Sequence, residues 1–570
     1  MDRLRRLDQL ISIRDDSEND PDQLRSNYDL NPTPPKERTW EMYNYFIVWF
    51  QNSLTVTAWN TGPSLVLSTG LDYRQVIYAS LIASFWAALM VTASAWPGAS
   101  YHIGYPVLAR SVFGPRLAKF FVLARMFVAA MWFSVNTYNG AMCFVVCFRC
   151  VFGHRWVNLH NGLPASADIT TAQMIVFLVF WLGQFSLMFL HPRQIRWFFT
   201  VKGFLSPIAC FGIFIFCMVK AGGAGNFEIE KGTFNTSTGN KWMYVFNSVA
   251  GALSPMIVNQ PDVARYSKRK SHVLIPQAVG VILTTMLVLI LGMACNSALK
   301  KVYGESYWSI WDMFDAILDH EWSAKTRTAI FLCALVFSLS AAGTNVFANS
   351  IPFAADIAFL VPRYFSIVRG QLFIGLLTWA LVPWKTVNSA ETLLNFLGSY
   401  SIFMGPLLGC ILADFFVLRK GNLHVPSLYS AKPGSLYWKW HGCNMWGLFA
   451  WVISPVIALP GFVRLYHPNI LNETVSDIFN CGWLYTFLIG FTAYTILGLI
   501  FKPKIYPDNH ADAPTTFEYM VPFNGFFEDD APINGVGNPA VTPPEASDVE
   551  SGRVEEIKDD KILLREKTID

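Results

Sequence analysis

The side chains in this sequence that could do chemistry are carboxamides and one indole set at helical spacing. Trp132 and Asn136 stand four residues apart and share a helix face. Asn345, Asn349 and Asp356 do the same at spacings of four and seven. An indole face stacks on a flat, partly apolar ring. A carboxamide offers a donor and an acceptor together, which matches the cis-amide edge of a pyrimidine or ureide ring. Buried amides also join apolar helices, at roughly 0.6–2 kcal/mol each, so helix packing is the competing account. An Asp is costlier, about 2.5–3.5 kcal/mol at the centre of a membrane helix. Asp356 is therefore expected near the inner helix end, in a structural or gating role. No cationic cluster accompanies these residues, so an anionic substrate is not indicated.

Lys202 follows a basic stretch, HPRQIRWFFTVK. Two accounts fit it: a side chain that snorkels to the interface, or a proton-titrating or sodium-replacing cation beside the first helix. Helix breakers supply the last signal. The run WNTGPS covers Trp59 to Ser64, and AGALSP covers Ala250 to Pro255. Backbone polar groups at membrane depth must be paired, so a break there lines protein or water. Interruptions at corresponding points of two halves point to a transporter site, and ordinary proline kinks are the alternative.

These residues need apolar helices to hold them. Of the 570 residues, 53% are hydrophobic and only 15% charged, against about 25% charged in a soluble domain. A hydrocarbon core of about 30 Å needs roughly 20 apolar residues per helix. That length places about twelve spans near 42–66, 74–96, 118–151, 171–190, 197–220, 242–260, 272–298, 327–350, 371–384, 390–418, 441–462 and 479–501. The chain thus divides into an N-terminal tail (1–38), a transmembrane domain (39–505) and a C-terminal tail (506–570). The fold class is all-α integral membrane, embedded in the lipid bilayer, with breaks opening two successive five-helix halves. The net charge of +3 gives no reason to expect nucleic acid. Cys143, Cys147 and Cys150 sit at helical spacing but lack a His or carboxylate to complete a metal site, and no cofactor is expected.

Lys and Arg cluster in the N-terminal tail and in alternate loops, so both termini are expected to be cytoplasmic. The sequons at Asn235 and Asn472 both fall in predicted outside loops, as glycosylation requires. No cleavable signal is expected at the start of the sequence, and the first span is expected to act as the insertion signal. Both tails read as disordered. In the C-terminal one, Ile562, Leu563 and Leu564 form a candidate sorting signal. Lys558, Lys561 and Lys567 are candidate ubiquitin acceptors, which would make trafficking and ubiquitination machinery partners.

The motifs jointly resemble the nucleobase:cation symporter-1 family, in its fungal uracil/allantoin permease branch, over roughly residues 38–505. The carriers are YHIGYPVLARSVFG, WFSVN, VNQPDVARY, VYGESYW, GTNVFANSIPFAADIAFLVPRYFSIVRG and FLGSYSIFMGPLLGCILADFFVLRKG. The resemblance implies a leucine-transporter-type fold, a 5+5 inverted repeat plus two helices. It also implies alternating access and proton symport of a small ring such as uracil or allantoin across the plasma membrane. The family's substrate contacts fall on Trp132, Asn136, Asn345 and Asn349, with Ala252 and Leu253 of the sixth span. Its sodium-site region falls near Ser340, Gly343 and Thr344, where Gly343 removes a hydroxyl. With Lys202, that favours protons over sodium. Asp356 matches an acidic residue of the family. Asn136 stands where uracil/allantoin members usually carry Gln, and Leu253 where many carry a second Trp.

Other segments resemble the thiamine and nicotinamide riboside branch, so an importer of such a vitamin or of a nucleoside is the alternative. A membrane-embedded enzyme would need a His/Asp or metal constellation. His102, His154, His160 and His191 are scattered and do not form one.

Overall fold

The computed structural model describes residues 37–505 except 191–195, 235 and 468, together with residues 12, 24 and 30–34. The described elements are helices, and the only β pairings among them are two isolated bridges. Each expected span finds helix at its place. Among the described residues, eight helices are long and apolar enough to cross a membrane. Met445–Ile457 and Leu459–Tyr466, bent by 52°, make a ninth if they form one span. Ile367–Ala380, in the ninth position, is apolar but short.

The first span is missing from that set because its break leaves two helices of 12 and 14 residues, and the sixth because it is too polar; both bury polar side chains. Thr57, Asn60, Thr61 and Ser64 are buried in the first, and Asn247, Ser248 and Ser254 in the sixth. Lipid-facing positions show the opposite pattern. Phe204, Val219 and Ile275 are 71%, 76% and 70% exposed, as side chains solvated by acyl chains would be. The third span, Ala118–Phe152, packs along the eighth, and the seventh, Lys270–Tyr303, packs along the second, Tyr73–Tyr101.

The helix breaks exist, but not where the glycines and prolines place them. The first span comprises Met42–Ser53 and Val56–Thr69, and residues 59–64 are continuous helix with Pro63 inside. The chain leaves helical geometry at Leu54 and Thr55, and the Thr55 hydroxyl caps the second half by accepting the Ala58 N–H at 3.3 Å. The sixth span runs unbroken as Thr238–Val258 through residues 250–255. It ends at Asn259, before the short helix Gln260–Ala264.

A proline removes one N–H and frees one carbonyl, but the helix continues if that carbonyl finds a donor. Pro255 frees the carbonyl of Gly251, and the Tyr400 hydroxyl donates to it at 2.6 Å. At the true break of the first span, the Ser340 hydroxyl donates to the Leu54 carbonyl at 2.8 Å. The eighth span contains a wide π-helical turn, Val346–Ser350, between Ala324–Asn345 and Ile351–Leu360.

The end of the N-terminal tail also departs from expectation. Leu30, Thr33 and Arg38 are buried, not loose. The Thr33 N–H donates to the His102 carbonyl at 2.8 Å, Arg265 Nε donates to Thr33 Oγ1 at 2.8 Å, and the Trp40 N–H donates to the Tyr266 carbonyl at 3.0 Å. Backbone groups near the body thus find partners that tail composition does not reveal.

All ten cysteines are free. Asn472 is exposed, whereas Asn235 lies outside the described residues. Thr236 beside it bonds Asp477 at 2.8 Å, so the loops carrying both sequons meet on one face. The candidate sorting and ubiquitin residues, Lys558 to Lys567, lie outside the described residues.

Candidate substrate site

A cavity of about 120 Å³ lies where the first, third, sixth and eighth spans converge. Trp132, Asn136, Ala252, Leu253, Thr344 and Asn349 all line it. It continues along the first half of the first span to Trp49 and Asn52. On the other side, the helix Ile310–His320 covers the second half of that span, its Ile310 N–H donating to Asn60 Oδ1 at 2.9 Å.

Trp132 lies edge-on to Phe396, with centroids 5.3 Å apart, and to Tyr400 at 6.2 Å. These two rings of the tenth span fix the indole plane. Ala252, Leu253 and Val249 bring only aliphatic surface to the sixth-span wall of the cavity.

Asn345 is not on the cavity wall, which corrects its assignment as a substrate contact. It is fully buried behind Asn349. Its Nδ2 donates to the Phe133 carbonyl at 2.8 Å, with Thr137 Oγ1 at 3.0 Å and Gln184 Oε1 at 3.3 Å. A backbone carbonyl only accepts, so the Asn345 amide must point that way and its Oδ1 the other. That oxygen takes the Asn349 Nδ2–H at 2.9 Å. Asn349 is thereby left with its carbonyl oxygen free as an acceptor. Four-residue spacing does put both amides on one side of the helix, but as neighbours that bond each other.

Asn136 shows the complementary polarity. Thr57 Oγ1 donates to its Oδ1 at 2.8 Å, and Asn139 Nδ2 donates to Thr57 at 2.8 Å. The Asn136 amide N–H groups remain as donors. The cavity thus offers an aromatic face, a fixed acceptor, a donor and an aliphatic wall, and no charged side chain lines it.

Lys202 does not snorkel. It is 5% exposed, and its Nζ bonds Thr344 Oγ1 at the cavity edge. Gly343 makes the room, because a Cβ there would meet Lys202 Cδ at 2.8 Å. Ser340 and Thr344 are therefore both engaged, one by the broken helix and one by the ammonium. No carboxylate pairs with Lys202 among the described residues.

Asp356 is fully buried and away from the cavity. Arg125 Nε donates to its Oδ2 at 2.8 Å and Arg125 Nη2 to its Oδ1. Arg125 Nη1 reaches Asp262 at 2.6 Å and Asn259 at 3.2 Å, and the Tyr105 ring lies 4.1 Å from the guanidinium. This network ties the third and eighth spans to the turn that ends the sixth. Sequence reasoning missed Arg125, although a lone cation in the apolar run AKFFVLARMFVAAMWF calls for a buried partner. Thr57, Asn139 and Gln184 were also missed, since hydroxyls and amides in apolar helices carry no periodic signal of their own.

A broken first span and a π-turned eighth around this cavity fit a secondary-transporter fold, and the protein is a multi-pass membrane transporter, not an enzyme. The chain belongs to the family of permeases for cytosine/purines, uracil, thiamine and allantoin, matched over residues 32–490. It is 30% identical to the allantoin permease of Saccharomyces cerevisiae over 83% of this chain and 76% of that one. It is 27% identical to the uracil permease of the same yeast, over 86% and 78%. In fold it is similar to Mhp1, a nucleobase-cation-symport-1 family transporter solved with bromovinylhydantoin bound. The TM-score is 0.65 at 19% identity, covering 85% of this chain and 98% of that one.

Proposed function

We propose that the protein imports a small neutral ring with a cis-amide edge, such as uracil, allantoin or a related nucleobase, by proton symport and alternating access. The observation that carries the substrate class is the fixed acceptor of Asn349, set beside the Trp132 face and the Asn136 donor. A ring stacked on Trp132 can give an N–H to Asn349 and take one from Asn136. The family's range, which includes uracil and allantoin, supports the same class.

Proton coupling is supported by Lys202. An ammonium bonded to Thr344 brings a positive charge to the break of the first span, where a sodium ion would need oxygen ligands. Loss of its proton would remove that charge from the junction of the first, fifth and eighth spans. This reading places the protein in the plasma membrane with the N-terminal face cytoplasmic.

The alternative is thiamine or a related vitamin, or a nucleoside. The family's range includes thiamine, and the aliphatic Leu253 together with the extension toward Trp49 leaves room for a longer solute. The uncharged wall offers a cationic vitamin no carboxylate partner, only the aromatic faces of Trp49 and Trp132. Radiolabelled uptake in cells lacking endogenous permeases, competed by uracil, allantoin, uridine, thiamine and nicotinamide riboside, separates the two. Unchanged uptake by Asn349→Ala at the cell surface would overturn the site.

A further inference from the structure

A second cavity, of about 590 Å³, opens on the face where the N-terminal segment packs. It lies at the ends of the third and eighth spans, and Arg110, Lys119, Phe359 and Arg363 line it with no carboxylate among them. Arg110 belongs to the short helix Tyr105–Phe113, between the second and third spans. Its side chain is 3% exposed.

Its surroundings differ from those of two other buried arginines. Arg125 meets Asp262 and Asp356, and Arg419 meets Asp414 at 2.8 Å. Among the described residues, Arg110 has only the Leu428 carbonyl, 3.0 Å from Nη1, and the rings of Phe359 and Tyr429, at 4.9 and 5.4 Å. Its Nε is buried without a hydrogen-bond partner. Burial pulls this guanidinium down to about 10, and the opposing pull comes from Tyr429 alone. A buried charge is ordinarily paired, and this arginine, held between two rings with a donor unmet, meets no anion among the described residues. Lys119 stands in the first turn of the third span, exposed and in no ion pair among the described residues.

We propose that this cavity binds a phosphoryl group, with Arg110 as the buried anchor and Lys119 as the outer cation. A phosphate has the charge and the in-plane acceptors that a guanidinium fork takes. Its source is either a phosphorylated inner-leaflet headgroup or soluble phosphate, which offer the same chemistry.

The test uses the full-length protein in nanodiscs. Thermal stability and native-mass-spectrometry binding are compared in phosphatidylcholine alone, with a few per cent phosphatidylinositol 4-phosphate, and with millimolar inorganic phosphate. The expected result is stabilisation by one or both phosphates. Lys119→Gln should weaken it about fivefold, the worth of one cation near a charged headgroup. Arg110→Lys should weaken it further. Stabilisation by the lipid alone assigns a headgroup, and by both a site open to solution. Either supports the proposal. No response to either phosphate, or a response that Lys119→Gln and Arg110→Lys leave intact, overturns it. So does a response seen only after Asp15, Asp16, Glu18, Asp20 and Asp22 are changed to Asn, since the acidic tail would then be the occupant. None of these readouts depends on transport.

Discussion

Asn345 never touches the cavity, yet its removal should impair substrate recognition through Asn349. In Asn345→Ala, Asn349 loses the 2.9 Å bond that fixes its amide. A typical bond of this kind is worth about 1 kcal/mol, or about fivefold in apparent affinity. Asn349→Ala removes the acceptor itself and leaves a buried substrate N–H unpaired, which costs about 1–3 kcal/mol, or roughly five- to 150-fold. Because Asn345 acts through Asn349, the effects should not add. The double variant should resemble Asn349→Ala alone, with a coupling energy of about 1 kcal/mol. The assay is initial-rate uptake of whichever radiolabelled ring the wild type takes up, with KM and surface amount measured for all four proteins. Additive losses, or wild-type KM in Asn345→Ala, would refute the argument.

Three further outcomes follow from other parts of the molecule. Lys202→Met should retain binding but lose acid-stimulated, protonophore-sensitive accumulation, and an unchanged pH profile would remove Lys202 from coupling. Arg125→Gln leaves Asp356 buried without its cation, a loss of about 3–5 kcal/mol, so surface protein should collapse. Adding Asp356→Asn should recover part of it, and no recovery would mean that Arg125 acts otherwise. Outside the spans, burial raises the Asp312 carboxyl to about 6, opposed by its bond to Ser309. The folded protein then holds this proton more tightly than the unfolded chain, and stability falls as pH rises from about 4 to about 6. Asp312→Asn should therefore melt higher than wild type at pH 7.5 and equally below about pH 4. A lower melting point at pH 7.5 would contradict this.

The membrane architecture was legible because spans are written in composition, and apolar length needs no tertiary context. The Trp132 and Asn136 face was legible for a related reason, since four-residue spacing fixes relative direction. Spacing could not say which amide faces the cavity. Asn345 and Asn349 share a side, and only the Phe133 carbonyl and Gln184, distant in sequence, decide their order. The breaks were misplaced because Pro63 and Pro255 are the conspicuous residues, while Leu54, Thr55 and Asn259 are not. Pro255 stays helical because Tyr400 meets the carbonyl it frees, and that partner lies 149 residues away along the chain. Asp356 was read without its partner for the same reason, Arg125 being on another span.

Recognition of a ring mid-bilayer is tested most directly by an experimental structure with substrate bound. A planar ligand should lie against the Trp132 indole, with a ring N–H about 2.7–3.2 Å from Asn349 Oδ1 and an acceptor facing Asn136. A ligand seated elsewhere, or one meeting Asn349 through the amide nitrogen with Asn345 turned from Phe133, would contradict it.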